Sequence, residues 1–300
     1  MYTFSNKLRL GSFIAMGLGF IFLVIGFMSA PSTVEEAKAM VAVHDDGHGG
    51  GHAEAATESH GDQGHGAEAS HGEEHDSSHD EHLLSQLKNR PWSALYVAAF
   101  FFFMISLGVL AFYAIQRAAQ AGWSPLLFRV MEGITAYLVP GGIIVFVILL
   151  LSAMHMNHLF VWMDSEVVAH DELLQGKAGY LNPTFFLIRA AIFLGGWIFY
   201  RQYSRKLSLA QDESDDNTNF VKNFRWSAGF LVFYLVTESM MSWDWIMSVD
   251  PHWFSTLFGW YVFASMFVSG ITVIAMVTVY LKSKGYLEDV NNSHIHDLAK

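Results

Sequence analysis

Apolar residues recur along this chain in runs of about twenty or more, and these runs limit its fold more than any other feature. As a helix, a run of that length crosses the hydrocarbon layer of a membrane, which is about 30 Å thick, at about 1.5 Å per residue. Hydrophobic residues make up 52% of the 300 and charged residues only 15%, as is typical of multi-span membrane proteins. The pattern predicts an all-α polytopic membrane helix bundle with six transmembrane helices.

The positions of the runs divide the chain into three parts. Residues 1–30 form the first transmembrane helix, because their apolar run is longer than the about 7 to 15 residues of a signal peptide. Residues 31–90 form a loop, and residues 91–300 form a five-helix membrane bundle with a cytoplasmic C-terminal segment. The five helices are predicted at about 92–115, 130–155, 183–200, 224–243 and 255–281.

The loop 31–90 is acidic and rich in histidine. Eleven acidic residues and no Lys or Arg lie between residues 45 and 81, and the loop holds nine histidines. Large apolar side chains are too few to bury a core, so we expect disorder. His71, His75 and His79 recur at an i, i+4 spacing that presents imidazoles on one helical face to a divalent metal. The alternative is a solvated, pH-responsive spacer, and we assign no metal site because no structure holds these ligands in place.

Basic residues in the loops indicate the orientation. With the N-terminus in the cytoplasm, eleven Lys and Arg residues flank the helices on the inner side and four on the outer side. The His-rich loop and the loop 157–182 then share the outer, periplasmic side. There is no basic patch outside the short membrane-flanking loops, so no nucleic-acid partner is predicted.

The chain has no cysteine. This excludes disulfides, thiolate zinc sites, iron–sulfur clusters and the attachment of c-type haem. No redox cofactor is therefore predicted in this chain, and any electrons transferred nearby would belong to other subunits.

Two charged residues inside predicted spans stand out as candidates, because charge there is costly and usually faces a partner or a cavity. Arg189 lies six residues into the fourth span, and Glu238 lies six residues before Asp244. At about 1.5 Å per residue both lie about 9 Å below the outer boundary, so an ion pair between these antiparallel helices is predicted. In the alternative, Arg189 extends outward to Asp164 or Glu166 and anchors its helix.

Glu238 is also a candidate for proton transfer, because a buried carboxylate can take up and release protons. Ser242 and Trp245 share its helical face in the sequence pattern. We expect both side chains to line the same groove as Glu238.

The stretch 242–261 joins the fifth and sixth spans at the outer face. It carries Asp244, Asp250 and His252 where polar side chains meet the membrane surface. Asp250 precedes Pro251 and therefore has a second interpretation, as the N-cap of the sixth helix with proline at its first position.

His155 and His158 are three residues apart at the outer end of the third span, so they are predicted to share one helical face. Hydrogen bonding to a quinol hydroxyl, or a place in a proton relay, is one interpretation. Interfacial contact with loop carboxylates is the other. Haem ligation is disfavoured because the two histidines are neighbours at a membrane edge rather than partners from two helices.

Two stretches resemble a known family. They are WDWIMSVDPHWFSTLFGWY at residues 243–261, continuing into FASMFVSGI, and SAMHMNHLFVW at residues 152–162. They resemble the NrfD/polysulfide-reductase-like membrane proteins, and within them the F-type membrane subunit of bacterial alternative complex III, a quinol:cytochrome c (or electron acceptor) oxidoreductase. The resemblance covers most of residues 90–300 and leaves out the His-rich loop.

The resemblance implies a subunit without a redox cofactor in the bacterial cytoplasmic membrane. Its partners would be a multihaem cytochrome c, an iron–sulfur subunit and a sister NrfD-like membrane subunit. The quinol site is usually assigned to the sister subunit, and the F-type subunit is associated with proton conduction or structural support. Such subunits have more spans than the six predicted here.

The functional hypothesis is a membrane subunit of a respiratory quinol-oxidising complex, with a quinol pocket or proton path near the outer face. Divalent-metal transport or metal scavenging, suggested by the His-rich loop, is one alternative, and a structural membrane anchor for the complex is another. The candidate residues are Glu238, Arg189, Asp244, Asp250, His155, His158 and His252.

Overall fold

A computed structural model describes the backbone of residues 5–47 and 72–299, and the side chains of residues 5–41 and 83–299. All regular secondary structure in these residues is helical, which confirms the predicted all-α class. The α-helices are α1 Asn6–Met28, α2 Val34–Gly47, α3 Gly72–Ala118, α4 Phe128–Ile134, α5 Leu138–Ala153, α6 Ser165–Ala169, α7 Glu172–Lys177, α8 Pro183–Asp212, α9 Thr218–Met241, α10 Phe258–Ser283 and α11 Asn292–Ala299.

Five helical segments in the described part of the chain are long and apolar enough to cross a membrane. They support a multi-pass membrane helix bundle. The five segments are Asn6–Met28, Leu83–Ala118, Ser124–Ala153, Pro183–Asp212 and Phe258–Ser283.

The fifth of the six predicted spans, at residues 224–243, falls on α9, which is not among the five segments. With 24 residues, α9 is long enough, but it carries Lys222, Arg225 and Glu238 and has no stretch as apolar as those that mark the five segments. That α9 crosses the membrane therefore stays a prediction.

The chain divides into two compact units, residues 1–95 and 96–300. In the first unit, α1 has no buried residue, as expected of a helix whose surroundings are lipid. The Phe27 ring packs edge-on against Trp92 with 5.0 Å between ring centroids. The side chain of Ser5 caps α1 by accepting the backbone N–H of Leu8 at 3.3 Å.

The expectation of disorder across residues 31–90 is wrong for two segments, because α2 and the first turns of α3 are helical. The segment α2 is rich in Ala, Glu and other good helix formers, and Glu35 and Glu36 lie in its first turn, where negative charge is favourable. Residues 48–71, including most of the histidines, lie outside the described residues. The predicted metal-binding face of His71, His75 and His79 also lies outside the described side chains.

In the second unit, α8 and α9 form an antiparallel hairpin. Its turn is held by Asp216, whose carboxylate accepts the backbone N–H of Thr218 at 3.1 Å and its hydroxyl at 2.7 Å. Across the hairpin, the Trp197 indole N–H donates to the hydroxyl of Thr237 at 3.0 Å. The pairing aligns α8 and α9 so that Thr237 faces α8.

A second part of the core lies where α3, α4, α10 and α11 meet. Val109, Met131 and Ile274 are fully buried there, and Val290 and Leu298 bring the C-terminal segment against them. This contact accounts for the folding of α11 after the last apolar helix.

Two glycines allow α3 and α10 to cross closely. A Cβ atom at Gly108 would lie 2.4 Å from the backbone oxygen of Met266, and one at Gly270 would lie 3.0 Å from the backbone nitrogen of Val109. Any larger residue at position 108 would force the two backbones apart.

We predict that Gly108→Ala destabilises the protein by about 1–3 kcal/mol, because the added methyl group overpacks a backbone contact. Gly195→Ala in α8 is the control: it gains the same helix propensity, and a Cβ there meets no atom within 4 Å. Thermal unfolding in detergent measures both. Equal midpoints for the two variants would contradict the close crossing.

Candidate functional site

Two charged residues of opposite sign, Arg189 and Asp244, are buried where α8 begins and α9 ends, and they are 3% and 0% exposed. The Arg189 Nε donates to Asp244 Oδ2 at 2.6 Å, and its Nη2 donates to Oδ1 at 3.1 Å. Asn182 and Pro183 begin α8 as its N-cap and first residue, which places Arg189 two turns into the helix. This two-bonded fork is the strongest ion-pair geometry that proteins use.

The predicted ion pair between Arg189 and Glu238 is therefore wrong. Counting residues along the two helices did not give the direction in which each side chain points. Thr237 faces α8, and Glu238 follows it by one residue, roughly 100° further around the helix. Asp244 faces α8 instead.

The alternative that Arg189 extends to Asp164 or Glu166 is also wrong. The Arg189 Nη1 donates to the backbone oxygen of Tyr180 at 3.1 Å, and its remaining bonds go to Asp244. The Asp164 side chain caps α6 by accepting the backbone N–H of Glu166 at 3.0 Å. Arg189 is held inside the bundle and does not reach the outer loop.

Aromatic rings complete the surroundings of Arg189. Its guanidinium lies 3.9 Å from the ring centroid of Tyr180 and 4.3 Å from that of Phe185. Burial, together with the negative charge of Asp244, raises the pKa of the Tyr180 phenol above its usual value of 10.0, so the phenol stays neutral. The positive charge is thus matched by one carboxylate and two ring faces.

A π-helical turn, Ser242–Ile246, follows α9 and carries Asp244. The Ser248 hydroxyl donates to the backbone oxygen of Asp244 at 2.5 Å and accepts the Trp162 indole N–H at 3.2 Å. Wide turns of this kind are often found at functional sites. Here the turn presents Asp244 to α8.

Trp245 is fully buried by the same turn. The rings of Phe100, Phe103, Phe193 and Trp197 surround it with centroid separations of 6.0 to 6.4 Å. Its indole nitrogen has no hydrogen-bond partner within the described residues. The prediction that Trp245 lines a groove with Glu238 is wrong, because the π-helical turn directs it into the aromatic core.

Ser242 does not line that groove either. Its hydroxyl donates to the backbone oxygen of Ser239 at 2.8 Å, and Gly259 of α10 lies directly above it.

Glu238 faces a groove between α9 and α10. The groove has a volume of about 370 Å³, and its wall includes Tyr234, Ser239, Trp260 and Phe263. Glu238 is 3% exposed, and its Oε1 has no hydrogen-bond partner among the residues that the structure describes. A buried carboxyl oxygen without a partner is costly, so this atom is suited to receive a donor from the groove.

Asp250 and His252 lie in the exposed turn above the site. Asp250 is not the N-cap of the sixth helix: α10 begins at Phe258, and Asp250 Oδ1 accepts the backbone N–H of His252 at 3.3 Å. Seven residues separate Pro251 from the helix start, too many for a cap. His252 Nε2 instead lies 2.6 Å from Asp171 Oδ2.

The loop that carries Asp171 is joined to this turn a second time. Lys177 Nζ donates to the backbone oxygen of Pro251 at 2.6 Å. Asp171 also caps α7 by accepting the backbone N–H groups of Leu173 and Leu174 at 2.9 and 3.1 Å. The 171–177 segment is thereby fixed to the outer turn.

His155 and His158 do not share a helical face, because α5 ends at Ala153. His155 has a positive φ of 58°, and both imidazoles are exposed. Asn157 is the buried residue between them: its Oδ1 accepts the Ser152 hydroxyl at 2.7 Å and the backbone N–H of Leu159 at 3.3 Å. The chain leaves the helix here, so the spacing of three does not place the histidines together.

A second buried charge cluster lies around Glu132 and was not singled out as a site. Glu132 is 3% exposed; its carboxylate accepts Arg129 at 2.6 Å and the Tyr113 hydroxyl at 3.1 Å. Arg117 and Arg205 lie 3.9 and 3.6 Å from it. Arg129 also pairs with Asp212, so three arginines face two carboxylates and the cluster keeps a net positive charge.

Hydrogen bonds extend from this cluster between α8 and α9. The Ser204 hydroxyl lies 3.2 Å from the Tyr113 hydroxyl and 2.6 Å from Asn223 Oδ1. The Ser227 hydroxyl donates to the backbone oxygen of Asn223 at 2.7 Å and lies 2.7 Å from the Tyr200 hydroxyl. The sequence contains a signal for this row, because polar residues recur four apart within apolar helices. They are Tyr200 and Ser204 on α8, and Asn223 and Ser227 on α9.

No group of three or more His, Asp or Glu side chains able to hold a metal ion occurs in the described residues. No protein-family model matches the chain. A comparison with characterised proteins gives no significant match.

We predict that Asp244→Asn destabilises the protein by about 3–5 kcal/mol, because it leaves the Arg189 charge buried without a counter-ion. Replacing both residues, as Arg189→Met with Asp244→Leu, is expected to cost less than either single change. Thermal unfolding in detergent measures the three variants, with Glu166→Gln on the exposed loop as control. If Asp244→Asn unfolded at the same temperature as the wild type, the ion pair would not be needed for the stability of the bundle.

We predict that the 171–177 segment loosens in acid. The backbone N–H of Leu174, the His252 side chain and the backbone N–H of Leu173 together lower the pKa of Asp171 below 3.8. A lowered pKa in the folded state stabilises the segment above pH 3.8, and this stabilisation is lost as the pH falls through the lowered value.

Hydrogen exchange of residues 171–181 between pH 7 and 3 measures the effect. Asp171→Asn keeps a capping side chain but removes the titration, so its protection is expected to show no acid step. An acid step of equal size in Asp171→Asn would assign the change to another group.

Proposed function

We propose that this chain is a membrane subunit of a respiratory quinol:cytochrome c (or electron acceptor) oxidoreductase complex of the alternative complex III type. In this proposal it lies in the bacterial cytoplasmic membrane with its N-terminus in the cytoplasm, and α9 is the fifth of six spans. It holds no redox cofactor; haem c and iron–sulfur clusters belong to partner subunits. The resemblance of residues 152–162 and 243–261 and the apolar helices support this assignment.

The proposed role of the chain is proton transfer near the outer face, in support of quinol oxidation. The single observation that carries it is Glu238, a buried carboxyl group with one unpartnered oxygen facing a groove. Such a group accepts a proton from a hydroxyl donor in the groove, whether water or quinol, and releases it when a better acceptor approaches. Trp260 and Phe263 supply flat apolar walls on which an aromatic ring can pack.

The buried pair of Arg189 and Asp244 has a supporting role in this proposal. Its charges are matched, so it fixes the turn after α9 and places fixed dipoles near Glu238 without taking part in proton exchange. His252, Asp250 and Asp171 line the exposed exit above the turn. His155 and His158 lie at the surface, where an imidazole can exchange protons with water.

A row of polar groups from Glu132 through Tyr113, Ser204 and Asn223 to Ser227 and Tyr200 lies on the other side of the bundle, with hydroxyl groups on either side of the Asn223 amide. Hydroxyl groups both donate and accept, so they can pass a proton along a chain. From Ser227 to Thr237 there are ten residues, about 15 Å along α9. A proton could pass between the Ser227 region and the Glu238 region only if water molecules bridged this apolar interval.

In the assembled complex, Glu238→Gln is expected to lower quinol oxidation or proton release by about tenfold or more, because an amide cannot take up the proton. Glu166→Gln, an exposed carboxylate in the outer loop, is the matched control. Unchanged rates and coupling in Glu238→Gln would remove Glu238 from the mechanism.

The alternative functions predict different results. A structural anchor predicts that variants of Glu238, Asp244 and Arg189 that assemble also turn over normally. Divalent-metal transport places the function in the His-rich loop and predicts metal sensitivity with intact respiration when residues 44–82 are deleted. Purification of the chain with a haem-bearing complex would favour the respiratory assignment over both.

A further inference from the structure

A groove on the surface between α8 and α9 is not used by the proposed proton path. Its volume is about 490 Å³. The stacked rings of Tyr200 and Phe230, 3.8 Å apart, form its base, and both residues are buried. Gly196 and Gly229 on the opposing helices bring no side chain into it. The groove is therefore a narrow apolar channel that runs along the helices.

Phe233 marks one end of this groove. Its ring lies directly over Gly196, where an added Cβ atom would come within 2.4 Å. Trp226 and Phe199 form the rim, with ring centroids 5.9 Å apart, and they are 44% and 54% exposed. These rings present flat apolar surfaces to whatever fills the groove.

Arg225 lies at the other end. It lines the groove, its side chain is exposed, and it makes no hydrogen bond or ion pair with any residue that the structure describes. Eight residues separate it from Phe233, about 12 Å along α9. The groove thus has one cationic end and an apolar remainder.

We propose that this groove binds an anionic phospholipid, with its phosphate on Arg225 and one acyl chain along the rings of Phe199, Phe230 and Phe233. Guanidinium groups bind phosphate through two parallel hydrogen bonds. A ligand with a negative head and an apolar tail is the complement of a groove with this distribution of charge. In the proposed orientation Arg225 lies at the cytoplasmic leaflet, which carries the anionic lipids.

The test uses the full chain reconstituted in nanodiscs that contain equal amounts of phosphatidylglycerol and phosphatidylcholine. Native mass spectrometry counts the lipids retained and their headgroups. The wild-type protein is expected to retain phosphatidylglycerol preferentially, and Arg225→Gln is expected to lose about fivefold in that preference. Arg9→Gln removes the same charge from another membrane-flanking position and is the control.

A second variant tests the apolar part of the groove. A Cβ atom at Gly229 meets nothing within 4 Å, so the Leu side chain of Gly229→Leu can enter and occupy the groove that Gly229 lines. It is expected to lower the number of tightly retained lipids while the thermal midpoint stays at or above that of the wild type. Inorganic phosphate alone is expected not to displace the lipid, because it lacks the acyl chain.

Three results would overturn the proposal. The first is retention of wild-type lipid number and preference by both Arg225→Gln and Gly229→Leu. The second is displacement of the lipid by inorganic phosphate. The third is a cross-link between Gly229→Cys, the only cysteine then present in the chain, and another protein of the complex, which would mean that a protein helix fills the groove.

Discussion

The fork between Arg189 and Asp244 joins α8 to the turn that ends α9, and this end of the bundle is arranged around it. Two charges removed from water destabilise a structure unless each satisfies the other with good geometry. Here both carboxylate oxygens are used, the guanidinium has a carbonyl oxygen as third partner, and two rings cover its faces. The pair therefore requires α8, the π-helical turn and the chain around Tyr180 to keep fixed positions. This explains why the turn is wound differently from the helix that it continues.

Because of that turn, the two carboxylates of Asp244 and Glu238, six residues apart, have different surroundings and different roles. Asp244 is matched and structural, whereas Glu238 keeps an oxygen without a partner among the described residues. Their positions differ by roughly 240° around a regular helix, so both cannot face the same neighbour. Glu238 is left at the α9–α10 groove, where the nearby side chains are aromatic or hydroxyl-bearing. A carboxyl group in such surroundings is suited to exchange a proton with a visiting donor, and this is the physical basis of the proposed function.

The opposite side of the second unit uses polar groups in another way. Glu132 is buried among arginines, and from it hydroxyl and amide groups follow the seam between α8 and α9. Each member has a partner, so the row stabilises the seam of two helices that are otherwise apolar. It also explains the polarity of α9: its polar residues Asn223 and Ser227 face α8 rather than lipid. A helix packed in this way can be less apolar than its neighbours and still belong to the bundle.

The sequence by itself determined the helical class and the approximate positions of the apolar helices, because long runs of apolar residues avoid water and are long enough to cross a membrane as helices. It did not determine which carboxylate Arg189 binds, where α5 ends before His155, or that the flanks of the His-rich segment are helical. Those outcomes depend on the rotation of each helix against its neighbour and on local turns. Both are decided by contacts between residues far apart in the chain, and only the tertiary structure contains them.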